Sequence, residues 1–315
     1  MNNSDKINVL YYWEDPSEFE KWKKAFNNKA PNINLIDQNS QEAHSAEVAL
    51  VWLPPKGFLK NFKNLKGVIN FGQGVDHLMT PGVVPENLPV IRLVDHDMSK
   101  LIAGWVSMHV FNEVNNTKIY QEHQKIKLWK PLPLKSSSKW KIGVLGLGAI
   151  GSFVAKTLAL YGYEIRGWSK SQKNYPEIIC LSGEDGLTNL LSNSSIIICL
   201  LPLTKETKYI INEKSMMRMP KGSTIINAGR GSHVNEKDLL KMINQNHIKN
   251  AYLDVFETEP LPKEHPFWSN DKISISPHVA GQTNEETAID QIINAIFCLK
   301  NNQIPPNSID RGKGY

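Results

Sequence analysis

The chain has little of what marks several protein classes. Only three cysteines occur in 315 residues, Cys180, Cys199 and Cys298, and their separations match no metal-binding pattern. So sparse and odd a set excludes a disulfide framework and a cysteine-based metal site, and it suits a reducing compartment. Charge of one sign is also scarce. Lys and Arg number 36 against 31 Asp and Glu, a net +5, and the lysines are scattered rather than gathered into a stripe. Nucleic-acid binding is therefore not indicated, whereas small anionic ligands suit the mild positive balance. No apolar run approaches membrane-spanning length, and no signal peptide is expected from the opening Met-Asn-Asn-Ser-Asp-Lys. A soluble, cytoplasmic protein without membrane contact is expected. Short-period repeats and low-complexity stretches are missing too.

What is present is ample apolar material, 41% of residues, in a chain long enough for two ordinary domains. Strand-like runs at Ile7–Trp13, Ile33–Ile36, Val48–Leu53, Leu65–Phe71 and Val90–Val94 alternate with helical or loop segments. Asp15 and Pro16 signal the start of a helix carrying Phe19, Trp22 and Phe26. Residues 100–126 read as one long helix, followed by a proline-containing polar stretch from Trp129 to Ser138. A second series of strands follows: Ile142–Leu145, Glu164–Trp168, Ile196–Leu200, Thr224–Asn227, Ala251–Leu253 and Ile273–Ile275. Alternation of this kind predicts an α/β chain: two doubly wound, parallel-sheet, Rossmann-like domains joined by a long helix. The expected division is 1–100 for substrate and 101–284 for a dinucleotide, with 285–315 returning to the first domain.

The clearest signal is Gly146-Leu147-Gly148-Ala149-Ile150-Gly151, between an apolar strand and a helix. In G-x-G-x-x-G spacing the first glycine allows a tight turn. The second lets a pyrophosphate approach the backbone, and the third lets helix and strand pack closely. Phosphates would sit on the N–H groups at the helix start, around Gly148, Ala149 and Ile150, where the dipole favours negative charge. An NAD-specific site wants an acid at the end of the next strand. The residue there is Ser169, followed by Lys170 and Lys173. Serine can bond a 2′-phosphate and the lysines can neutralise it, so NADP is expected, with NADPH preferred over NADH. The plainer alternative is that both lysines are ordinary solvated loop residues.

Arg230, Glu259 and His278 each follow a predicted strand, at the sheet edge where ligands bind in open α/β folds. Arginine can clamp a carboxylate, histidine can exchange a proton near neutrality, and a carboxylate bonded to that histidine favours its charged form. Singly, each could be an ordinary loop residue. Together they suit reduction of a 2-keto acid.

With these residues in hand, the chain resembles the D-isomer-specific 2-hydroxyacid dehydrogenases. The matching pieces are Gly72-Gln73-Gly74-Val75-Asp76-His77, the glycine motif, Leu201-Pro202-Leu203-Thr204-Lys205-Glu206-Thr207, Asn227-Ala228-Gly229-Arg230-Gly231, Leu253-Asp254-Val255-Phe256 through Glu259-Pro260-Leu261, and Pro277-His278-Val279-Ala280-Gly281. They cover nearly the whole chain. Within the family the chain is most similar to the glyoxylate/hydroxypyruvate reductase A group, on Val51-Trp52, Pro54-Pro55, Trp129-Lys130-Pro131-Leu132-Pro133 and the C-terminal Ile309 to Tyr315.

The resemblance implies a role for each matching position. Arg230 would grip the carboxylate and keto oxygen, His278 would be the general acid, and Glu259 would orient and charge it. Glu257 is the decoy, because the family's glutamate directly precedes the proline. The amides of Gly74 and Val75, with Gln73 and Trp52 beside them, would receive the substrate. Pro202, Ala228 and Asp254 would line the cofactor, Asp254 near the carboxamide. A homodimer is also implied, with Trp129 able to reach a neighbouring subunit. Rival readings stay open: a dehydrogenase for a bulkier 2-keto acid, or a cofactor-sensing binding protein on the same fold.

Overall fold

The structure, a computed structural model, describes residues 6–312. The opening segment Met1–Asp5 and the closing Lys313-Gly314-Tyr315, both read above from sequence, lie outside the described residues. In chain order the helices and strands are β1 (Ile7–Tyr12), α1 (Pro16–Lys29), β2 (Ile33–Asp37), β3 (Val48–Val51), β4 (Gly67–Asn70) and β5 (Val90–Ile91). Two helices follow, α2 (His96–Val114) and α3 (Thr117–Lys125). Next come β6 (Lys141–Leu145), α4 (Ala149–Ala159), β7 (Glu164–Trp168), β8 (Ile179–Leu181), α5 (Gly183–Ser192), β9 (Ile196–Cys199) and α6 (Glu213–Met216). The chain closes with β10 (Ser223–Asn227), α7 (Glu236–Asn244), β11 (Ile248–Leu253), β12 (Ile273–Ile275) and α8 (Glu285–Lys300). It forms two compact units, one reaching Met98 and resuming at Thr283, the other Ser99–Gln282.

The first unit holds a five-stranded sheet in the order β2-β1-β3-β4-β5, every pair parallel. Its strands are apolar almost throughout, as a sheet covered on both faces requires. Asp15 caps α1 by accepting the Ser17 N–H at 2.9 Å, and the helix then buries Trp22 and Phe26 against Tyr11 and Phe71. The last helix, α8, adds Ile289, Ile292, Ile296 and Leu299 to the same core. Gly67 permits that seating, since a Cβ there would lie 2.6 Å from a Leu299 methyl.

The second unit holds seven parallel strands in the order β12-β11-β10-β9-β6-β7-β8. Strand order reverses between β6 and β9, and such a switch point opens a ligand crevice at the C-terminal strand ends. Glu113 of α2 is buried, where an unpaired carboxylate would be costly. It is satisfied by Lys249 and by the Asn250 amide at 2.7 Å, which anchors the helix to β11.

The long helix expected over 100–126 is two helices. Asn115 turns its side chain back onto the Phe111 carbonyl, and Asn116 adopts φ 55°. Asparagine tolerates this left-handed conformation and competes with the helix for its own backbone bonds. Strand β8 was not anticipated. It is three residues long, lies at a sheet edge, and leaves Ile179 exposed.

Candidate active site

In the second unit the residues singled out from sequence sit on loops leaving the C-terminal ends of β6, β7, β9, β10, β11 and β12. The glycine turn behaves as its spacing demands. Gly146 has φ 103°, open to glycine at little cost. A Cβ at Gly151 would fall 1.8 Å from the Gly146 carbonyl oxygen, so the third glycine lets α4 press on the turn. A Cβ at Gly148 would meet nothing within 4 Å, so the second glycine borders open space at the start of α4. The N–H groups of that first helical turn have no acceptor within the helix. Ala149 and Ile150 lie on the same turn, so the cradle fits a pyrophosphate.

One strand over, Ser169 is nearly buried, and its hydroxyl donates to the Ser171 carbonyl at 2.8 Å, leaving its oxygen able to accept. Lys170 and Lys173 are exposed beside it. On the loop after β9, the Thr204 hydroxyl holds the Glu206 carboxyl below the usual range, with the charge of Lys170 contributing. Thr207 donates to the Pro202 carbonyl at 2.7 Å and closes that loop.

Arg230 follows β10 on a turn held by Asn227. The Asn227 amide donates to the Arg230 carbonyl at 3.0 Å, and its oxygen accepts the Gly229 N–H at 3.1 Å. Ala228 lies between them, half-buried. The guanidinium donates to the Gly229 carbonyl at 2.9 Å. Gly231 has no room for a side chain, because a Cβ would lie 1.8 Å from the Phe256 carbonyl carbon. The arginine turn therefore rests directly on the segment that leads to Glu259.

His278 and Glu259 meet across this edge, with Nδ1 2.7 Å from Oε2 and both side chains 36% exposed. The other Glu259 oxygen accepts the Phe256 N–H at 2.9 Å. Partial burial pushes the Glu259 carboxyl up. The hydrogen bond and charge of His278, the Phe256 N–H and the charge of Arg230 outweigh it, so the carboxyl lies below its ordinary range. With Nδ1 engaged, Nε2 is the nitrogen left for proton exchange. Glu257 is exposed, and its N–H donates to Glu236 at 3.0 Å.

A further function of Asp254 has no signal in its local sequence. It is buried, and its carboxylate accepts the Ser276 hydroxyl at 2.6 Å and the N–H groups of Val279 and Ala280 at 2.9 Å. Its carbonyl accepts the His278 N–H at 2.8 Å. That clasp holds His278 at φ 55°, a conformation non-glycine residues rarely adopt. Its partners lie more than 20 residues away, which hides the role from any local motif.

In the first unit, buried Asn70 at the end of β4 donates to the carbonyls of Gly72 and Gly74, each at 2.9 Å. This fixes the turn carrying Gln73, Gly74 and Val75. Trp52 stands against it: a Cβ at Gly72 would lie 2.8 Å from the indole, and the His77 ring packs on Trp52 at 5.1 Å. No helix among the described residues is long and apolar enough to cross a membrane.

The family model described as D-isomer specific 2-hydroxyacid dehydrogenase, NAD binding domain, matches residues 107–280. A glyoxylate/hydroxypyruvate reductase A from Yersinia enterocolitica is 34% identical over 314 residues, covering 98% of this chain and 100% of the relative. A D-isomer specific 2-hydroxyacid dehydrogenase from Xanthobacter autotrophicus, crystallised with NADPH and MES, superposes with a TM-score of 0.91 at 33% identity, over 98% of this chain and 99% of that one. An NADPH-dependent glyoxylate/hydroxypyruvate reductase from Sinorhizobium meliloti, in complex with NADP and sulfate, gives 0.90 at 27% identity, over 98% and 100%.

Proposed function

The chain belongs to the D-isomer specific 2-hydroxyacid dehydrogenase family, and from that premise we propose that it reduces a small 2-keto acid, glyoxylate or hydroxypyruvate, with NADPH. The observation that carries the reading is the 2.7 Å pairing of His278 with Glu259, on the sheet edge that also bears Arg230 and the glycine turn. When bound, NADPH supplies the hydride received by the keto carbon. His278 donates a proton from Nε2 to the keto oxygen. Glu259 stabilises the imidazolium before transfer and keeps the ring oriented. Arg230 offers paired N–H donors to the carboxylate and the oxygen, a geometry guanidinium matches well. Overall, keto acid, NADPH and one proton become hydroxy acid and NADP.

We propose the second unit as the dinucleotide-binding domain, through Gly146, Gly148, Ala149, Ile150 and Gly151 for the phosphates. Ser169, Lys170 and Lys173 would take the 2′-phosphate, and Pro202, Ala228 and Asp254 would lie along the nicotinamide half. The first unit would bind substrate through the Gly74 and Val75 amides, with Gln73 and Trp52 alongside. The NADP-bound relatives and the missing acid at position 169 support the cofactor choice. A homodimer is the proposed working form, supported by the exposure of Trp129 and Leu134 on the segment before β6. The free cysteines suit the cytoplasm. The test is turnover of a panel of 2-keto acids by purified protein with NADPH and NADH. Glyoxylate or hydroxypyruvate should give the highest kcat/KM. Preference for a bulkier acid would move the substrate assignment, and no turnover would favour a binding protein.

A further inference from the structure

Beneath the Arg230 turn lies a histidine that none of the sequence motifs picks out. His233 ends the short 3-10 turn Gly231–His233, and it is fully buried. Both nitrogens of its ring are used. The Arg230 N–H donates to Nδ1 at 3.0 Å, and Nε2 lies 3.3 Å from the Pro202 carbonyl oxygen. A backbone N–H can only donate and a carbonyl can only accept. Nδ1 must therefore carry the lone pair, and the single ring proton must sit on Nε2. A charged ring, a donor at both nitrogens, would lose the Arg230 bond. The surroundings are shaped to the ring, since a Cβ at Gly229 would lie 3.0 Å from Nδ1. The Arg230 carbonyl is held as well, by the His233 N–H at 3.1 Å and the Asn227 amide at 3.0 Å.

We propose that His233 is a positioning residue: a neutral, single-tautomer imidazole that spans from the Arg230 backbone to the Pro202 carbonyl and so fixes where the guanidinium is presented. The inference rests on the reading of Arg230 as the substrate-gripping residue. The chemistry explains why a histidine occupies the place. One rigid ring offers an acceptor and a donor at once, and no aliphatic side chain can do either. Pro202 is already tied to Thr207, so the ring links the arginine turn to a loop that is itself closed.

The test combines spectroscopy and kinetics. In the wild-type holoenzyme, nitrogen NMR of 15N-histidine-labelled protein at about pH 7 should show His233 as the Nε2–H tautomer. An Nδ1–H or doubly protonated ring would overturn the proposal without any variant being made. Asparagine at this place keeps an acceptor near the Nδ1 position, and leucine does not. His233→Leu should therefore raise KM for glyoxylate by about tenfold or more, equivalent to ~1.4 kcal/mol. Its KM for NADPH should move far less, and His233→Asn should recover most of the loss. Equal damage in both variants, or none in either, would sink the positioning role. Arg230→Ala separates the two ideas. If it leaves glyoxylate kinetics intact, the reading of Arg230 fails. A crippled Arg230→Ala beside a normal His233→Leu defeats only the inference about His233.

Discussion

Nδ1 of His278 lies 2.7 Å from Oε2 of Glu259, while the second carboxylate oxygen is tethered to the Phe256 N–H. The carboxylate is thus fixed before it meets the ring, and Nε2 is the nitrogen the proposed proton transfer would use. Removing that nitrogen should be costly. His278→Ala should lower kcat by roughly two to four orders of magnitude, the usual range for general acid–base catalysis. NADPH binding, followed by its fluorescence, should survive. Near-normal turnover would refute the assignment.

Glu259 and Glu257 are two residues apart and should behave differently. Glu259→Gln should reduce kcat, because an amide cannot stabilise an imidazolium, whereas Glu257→Gln should leave it nearly unchanged. The depressed Glu259 carboxyl also contributes stability. That contribution is complete above the unfolded carboxylate value, about 4.3, and is lost as pH falls through the lower folded value. The Tm gap between wild type and Glu259→Gln should narrow as pH falls below about 4. A gap that widens in acid would contradict the sign of the shift.

Gly231→Ala tests the packing of the arginine turn. The added carbon would land 1.8 Å from the Phe256 carbonyl carbon, and backbone cannot swing aside as a side-chain tip can. Overpacking of this kind costs about 1–3 kcal/mol. The displaced turn should cut kcat/KM for the keto acid more than its fall in Tm would suggest. An alanine variant with full activity would show that the two loops need not touch.

Cofactor preference follows from the end of β7. NADPH should be favoured over NADH by at least about tenfold in kcat/KM, or ~1.4 kcal/mol. Ser169→Asp should erase or reverse this by repelling the 2′-phosphate. Lys170→Ala with Lys173→Ala should weaken NADPH and spare NADH. Added salt should shrink the preference, because exposed charges are screened. Equal use of both cofactors at low ionic strength is the result that would defeat the idea.

Much of this architecture was legible because its signals are local. Gly146, Gly148 and Gly151 announce a strand, a turn and a helix start through backbone geometry alone, and Asp15 with Pro16 announces α1. Strands such as β9, Ile196–Cys199, are short, unbroken apolar runs. What escaped depends on partners distant in sequence or on competition between equal choices. Strand β8 has only a four-residue apolar run, Ile178 to Leu181, at a sheet edge, and it forms by pairing with β7. The break after α2 turns on adjacent asparagines, Asn115 and Asn116, either of which a helix can accommodate when packing demands it. The clasp of Asp254 on the His278 turn joins residues from two loops. His233, in Gly-Ser-His, looks like a surface turn, and only the fold buries its ring.

The core of the first unit is assembled from both ends of the covalent chain, since α8 supplies Ile289, Ile292 and Leu299 to a sheet formed by β1–β5. On the ribosome, where residues emerge at about 5–20 per second, this has a temporal meaning. The second unit has all its strands in hand while the first still waits for its final helix. The unit begun first is the unit completed last, and in that interval the apolar face that α8 covers stays open.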